Sequence, residues 1–112
     1  MKNWFLLVCL AGILLAPLAA QEGPAVLIIN NTGYTGYYLY MTPVDIDDWE
    51  EDLLGDDILP EGESLVIELS RPLSEANRYD IQLEDEDGDT YSKWDVLILP
   101  KTQIEFTQDD LD

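Results

Sequence analysis

"YDIQLEDEDGDTYSKWDVLI", residues 79–98, decides the fold. Two runs of alternating apolar and polar residues meet at Asp87-Gly88. That pattern predicts a β-hairpin closed by a two-residue type I′ turn. The register then sets Leu83 opposite Ser92, Ile81 opposite Trp94 and Tyr79 opposite Val96. One face is mostly apolar, and the other carries Asp80, Gln82, Glu84, Tyr91, Lys93 and Asp95. A slip of one residue scrambles both faces, so the side-chain pattern specifies its own pairing. Tyr91, an aromatic turned to the polar face, is a candidate surface contact.

Further strands flank the hairpin. "AVLIINN" (25–31) is an apolar, β-branched run of the kind that forms a buried strand. "NTGYTG" (31–36) is a turn, and "YYLYMT" (37–42) is an aromatic strand stopped by Pro43, which has no N–H for a ladder. "LVIEL" (65–69) places Leu65, Ile67 and Leu69 on one face. "QIEFT" (103–107) is a last short strand with Ile104 and Phe106 inward, and "QDDLD" reads as a frayed tail. Six strands with short turns predict an all-β, small antiparallel β-sandwich.

One segment breaks the strand pattern. In "WEEDLLGDD" (49–57) a Trp and two Leu stand among carboxylates. Asp48 can cap a helical turn over residues 48–54, with Glu51 completing a capping box. Trp49 and Leu53 then share a face that plugs one end of the sandwich, next to Leu54, and Gly55 ends the turn in the left-handed conformation. The other reading of the same carboxylates is a cation-binding loop.

The first 20 residues stand apart. Lys2, the apolar run from Trp4 to Leu15 and the small residues ending at Ala20 form a secretory signal-peptide pattern, with processing expected near Gln21. An uncleaved anchor is the alternative, although Gly12 and Pro17 interrupt a stretch already short for a membrane span. Residues 21–112 then form a single acidic domain, exported to the periplasm or beyond, with no membrane attachment after cleavage. That domain has no Cys and no His. It holds all 24 Asp and Glu, opposed only by Arg71, Arg78, Lys93 and Lys101.

The formal net charge of −19 argues against nucleic acid, which is bound by Lys and Arg, and against anionic membrane surfaces. It leaves a protein partner, cationic partners and divalent metal. Hard cations want several oxygen ligands in one loop. Asp85, Asp87 and Asp89 supply carboxylates at alternate positions, so calcium is the cofactor to test there, and Asp45, Asp47 and Asp48 form a second candidate set. An Asp-Gly hairpin tip explains the first set without metal. Zinc lacks His and Cys ligands. Without these residues a catalytic Ser must use one of two Lys as its base. No catalytic residue and no resident cofactor are therefore expected. The leading expectation is a non-enzymatic exported binding or structural module of the cell envelope. A calcium-binding module is the alternative, and a small hydrolase is the remote one.

"NNTGYT", "WEEDLLGDDILPEGES", "YD" at 79–80 and "DGD" at 87–89 resemble a family of small exported bacterial proteins, common in alphaproteobacteria, that has no established activity. Some of its members carry the label argininosuccinate lyase, a large helical enzyme that this chain is too short to build. The family often has a Cys just before its Y/F-D and another after the following strand. Asn77 and Leu99 stand in those places here, so the staple that the resemblance implies is missing from this hairpin.

Overall fold

The computed structural model describes residues 24–112. The expected signal peptide and its cleavage near Gln21 lie outside those residues. The described chain is all-β, with strands β1 (Ala25–Asn31), β2 (Gly36–Pro43), β3 (Ser64–Glu68), β4 (Arg78–Asp85), β5 (Thr90–Leu97) and β6 (Gln103–Thr107). They form two three-stranded sheets, ordered β3-β1-β6 and β2-β4-β5. Alternation along the strands fixes their inner faces. Val26, Ile28, Ile67, Ile104 and Phe106 from the first sheet meet Leu39, Met41, Tyr79, Ile81 and Leu83 from the second in one core. No helix among the described residues is long and apolar enough to cross a membrane.

One pairing departs from the antiparallel expectation. β6 runs parallel to β1, with Ile28 beside Ile104 and Asn30 beside Phe106. Inward-facing Ile104 and Phe106 are as expected, but which strand they pair with is a long-range choice that their own alternation does not encode.

The β4–β5 hairpin keeps its strands and changes its turn. The Gly88 N–H donates to the Asp85 carbonyl (3.0 Å), and the Asp85 N–H donates to the Asp89 carbonyl (2.8 Å). The loop is therefore three residues, Glu86–Gly88. A type I′ turn needs positive φ at both central residues. Here Gly88 has φ 86° and Asp87 is not in the left-handed region. The cause is Asp85, whose Oδ1 accepts from the Asp87 N–H (2.9 Å) and the Asp89 N–H (3.0 Å) and so holds the longer loop. The pairing shifts by one residue, so Leu83 faces Tyr91 and Ile81 faces Lys93. A bulge opposite Asp80, with Asp95 at φ 55°, then restores the expected Tyr79–Val96 pair.

Residues 48–54 form no helical turn. The Leu53 N–H donates across to the Leu39 carbonyl (2.7 Å), and Asp52 Oδ1 accepts from the Leu39 N–H (2.9 Å) and the Leu54 N–H (3.0 Å). A helix would turn those backbone groups inward, whereas here they cover the free edge of β2. Further along, Leu59 and Gly36 exchange both backbone hydrogen bonds. Leu54 and Leu59 enter the core, and Leu53 packs against it. Gly55 has the expected left-handed φ of 59°, but it shapes the tight turn between Leu54 and Asp57.

The last residues are not frayed. Thr107 and Asp110 form a capping box around a 3-10 turn, Gln108–Asp110. Asp110 pairs with Lys93 (3.1 Å), and Asp112 accepts from Thr90 Oγ1 (2.8 Å) and from the Ser92 hydroxyl. The tail thus lies along the first half of β5.

The N-x-T-G-Y stretch is also structural. Buried Asn30 donates through Nδ2 to the Tyr34 and Leu59 carbonyls (2.8 Å each), and its Oδ1 accepts from Thr32 N–H (3.0 Å) and Thr32 Oγ1 (2.7 Å). One amide satisfies the buried turn after β1.

Candidate functional site

The first expected metal set is dismantled by its own hydrogen bonds. Asp85 is 1% exposed. Its Oδ1 serves the two turn amides, and its Oδ2 accepts from the Tyr91 hydroxyl (2.8 Å). Asp87 and Asp89 point to solvent. Asp45, Asp47 and Asp48 are exposed in the loop after β2. Among the described residues, no group of three or more His, Cys, Asp or Glu is arranged to hold a metal ion.

Tyr91 is not a surface contact. It is 1% exposed because the three-residue loop turns it inward, opposite Leu83. Burial pushes its phenol above the ordinary tyrosine value, and its hydrogen bond to Asp85 adds to the shift.

A row of aromatics lies elsewhere. Tyr40 on β2, Trp49 from the loop and Trp94 on β5 form a row, with ring centroids 5.8 Å apart at each step and planes tilted by 33°. β2 and β5 flank β4, so Trp49 bridges them above the outer face of the second sheet. It is half-buried there and plugs no end of the sandwich. The one-residue shift of the hairpin, undone only at the Asp95 bulge, sets Trp94 on this face, 61% exposed.

Beside the row lies a cleft of about 120 Å³, lined by Thr42, Ile46, Asp47, Asp48, Trp49, Asp80 and Trp94. The Glu50 N–H donates to Thr42 Oγ1 (3.1 Å) and ties the loop down at its base. Asp80 uses Oδ1 to accept the Asp95 N–H of the bulge (2.9 Å). Among the described residues, Asp47 and Asp48 take part in no side-chain hydrogen bond or ion pair. The exposed Trp94 ring beside three carboxylates makes a surface suited to a cation with an apolar or planar body.

A second cavity, about 330 Å³, opens at one end of the sandwich, with Met41, Leu53, Leu69 and Tyr79 inside. Glu50 and Arg71 line it, joined by two parallel hydrogen bonds of 3.0 and 2.9 Å. Arg71 holds the Glu50 carboxyl below its ordinary value, and Glu50 in turn raises Arg71. Burial pushes the Tyr79 phenol up. The single guanidinium is thus already engaged. Elsewhere Lys93 is held by Asp110, and Lys101 is exposed. Among the described residues, no serine hydroxyl bonds a lysine.

Comparison with known protein families, with curated proteins and with solved structures finds no match to this chain.

Of the residues singled out in the sequence, Asp47, Asp48 and Trp49 meet in the cleft. Asp80 completes it from the polar face on which its alternation places it, and Trp94, expected inward opposite Ile81, joins it because the hairpin register is shifted by one residue as far as the bulge. One sequence signal does point to it: Asp95 is among the few residue types that tolerate the left-handed backbone of such a kink.

Proposed function

We propose that this chain is an exported, non-enzymatic binding module of the cell envelope, and that the aromatic cleft on the outer face of the β2-β4-β5 sheet is its contact surface. The observation that carries the reading is Trp94, 61% exposed yet stacked on Trp49 above three carboxylates. Large aromatics at such positions are the side chains that dominate binding energy in interfaces. The rest of the polar architecture is inwardly satisfied: Asn30 and Asp85 serve turns, and Arg71, Arg78 and Lys93 serve ion pairs. The acidic surface supports a cationic partner and keeps the module soluble.

A photoreactive amino acid placed at position 94 in living cells tests the proposal, with position 58, exposed and outside the cleft, as the control. A cross-linked envelope component at 94 that is absent at 58 supports it. Equal labelling at both positions, or none, rejects the cleft as the contact surface. The export half is checked by intact mass: the protein begins near Gln21, and a mass that retains Met1 overturns it.

A further inference from the structure

We infer that the cleft takes the guanidinium group of an arginine side chain presented by a partner polypeptide; this rests on the binding-module reading and names its ligand. The charge of the ligand follows from Asp47, Asp48 and Asp80. Asp47 and Asp48 have no partner among the described residues, and Asp80 keeps Oδ2 unused. An anion would meet three carboxylates, and a neutral group would leave them unpaired once the cleft is covered. Arg78 lies on the same strand, but it is paired with Asp95 (3.2 Å) and does not line the cleft.

The shape separates the cations. Trp49 and Trp94 both line the cleft and lie against one another, with centroids 5.8 Å apart and planes tilted by 33°, and Trp94 leaves most of its ring uncovered. This is not a cage of rings around a central point, the arrangement that recognises methylated ammonium groups. A guanidinium is planar and weakly hydrated, and it carries a fork of donors. It stacks on the exposed Trp94 ring while its edge reaches carboxylates, whereas an ammonium is a compact and strongly hydrated point charge.

The size separates a side chain from a free molecule. About 120 Å³ is well below the roughly 300–1,000 Å³ of pockets that enclose whole small ligands. The cleft accommodates the head of one side chain and leaves the remainder of the ligand outside it. The neighbouring outer face, with Tyr38 at 41% exposure, has room for the rest of a polypeptide. The net charge of −19 steers a basic partner toward the molecule, and the exposed Trp94 ring selects the group that seats.

The test uses the purified protein and four fluorescently labelled peptides of one sequence that differ at a single central position: Arg, Lys, citrulline or Gln. Anisotropy titration is run at low and at physiological salt. The Arg peptide is expected to bind saturably, with the Lys peptide about tenfold weaker, the step expected for losing a planar cation–π contact. Citrulline, which keeps the shape and lacks the charge, is expected not to bind. Trp94→Ala, and separately Asp47→Asn with Asp48→Asn, should each weaken the Arg peptide by about tenfold or more. The two Asp are exposed, so unchanged circular dichroism of that double variant shows the loss to be one of binding. Equal affinity for Arg and Lys that vanishes with salt would mean diffuse charge attraction and would overturn the inference. So would citrulline binding like Arg, or affinity indifferent to both variants. If the Arg peptide fails while position 94 still cross-links a component in cells, the arginine assignment falls and the binding-module reading stands. If both fail, both fall.

Discussion

Asp85 is buried while Asp87 and Asp89, of the same residue type and in the same hairpin, are exposed. A buried carboxylate is tolerable only with full hydrogen bonding, and Asp85 has two amides and the Tyr91 hydroxyl. Asp85→Ala strips an acceptor from all three donors at once. Hydrogen bonds to charged groups contribute about 1.5–3 kcal/mol each. Chemical denaturation should therefore show Asp85→Ala as a severe loss, with Asp87→Ala and Asp89→Ala close to wild type. Equal costs for the three would mean that the turn is not held by Asp85. The apolar residues of the 49–54 segment rank in the same way. Leu54 is 4% exposed and in the core, so Leu54→Ala should cost about 2–5 kcal/mol. Trp94 is mostly exposed, and its stack contributes about 0.5–1.5 kcal/mol. Trp49→Ala, removing a half-buried ring with two neighbours, should fall between them. A Trp49 variant less stable than the Leu54 variant would contradict the placement of Trp49 on the outer face.

At the level of elements, edges decide what is covered. The free edge of β2 is closed by Asp52–Leu59 and the first half of β5 by the tail, a common defence against edge-to-edge pairing. Deleting residues 108–112 should lower the melting temperature and promote association through the bared strand, as read by sedimentation at several concentrations. A deletion variant with unchanged melting and sedimentation would show the tail to be incidental. Each of the six strands was legible, because alternation over five to eight residues is a local property. The same alternation could not report that β6 joins β1 in parallel, since pairing across more than 70 residues is chosen by the whole core. The hairpin was half legible. Asp87-Gly88 fits two turns equally well, and the choice lies with the carboxylate of Asp85, which composition alone does not place. With it went Tyr91, turned inward, and Trp94, turned outward by the same one-residue shift. The cleft was therefore visible only as a Trp among acids.

For the whole molecule, pH and salt act through different groups. Burial raises Tyr40, Tyr79 and Tyr91 above the ordinary value of 10.0. A raised folded-state value means stability that is complete below the unfolded value and is lost as pH rises through the folded one. Melting temperature should thus begin to fall near pH 10, and Tyr91→Phe, whatever its cost at neutral pH, should flatten part of that fall. Salt has two opposing effects. It screens the four ion pairs of Arg71, Arg78 and Lys93, which are partly exposed and contribute about 0–1 kcal/mol each. It also screens repulsion among the remaining carboxylates of a chain with 24 acidic residues and a net charge of −19. Those pairs engage only Glu50, Glu75, Asp95 and Asp110 and bring three positive charges against them, so repulsion outweighs attraction. Raising sodium chloride from about 0.01 to 0.15 M shortens the screening length from about 30 to 8 Å, and the melting temperature should rise. Magnesium and calcium chloride at matched ionic strength should give the same rise if screening is the whole effect. A further, saturable gain with calcium that disappears in the Asp47→Asn, Asp48→Asn variant would instead place a metal in the cleft and contradict its assignment to a guanidinium.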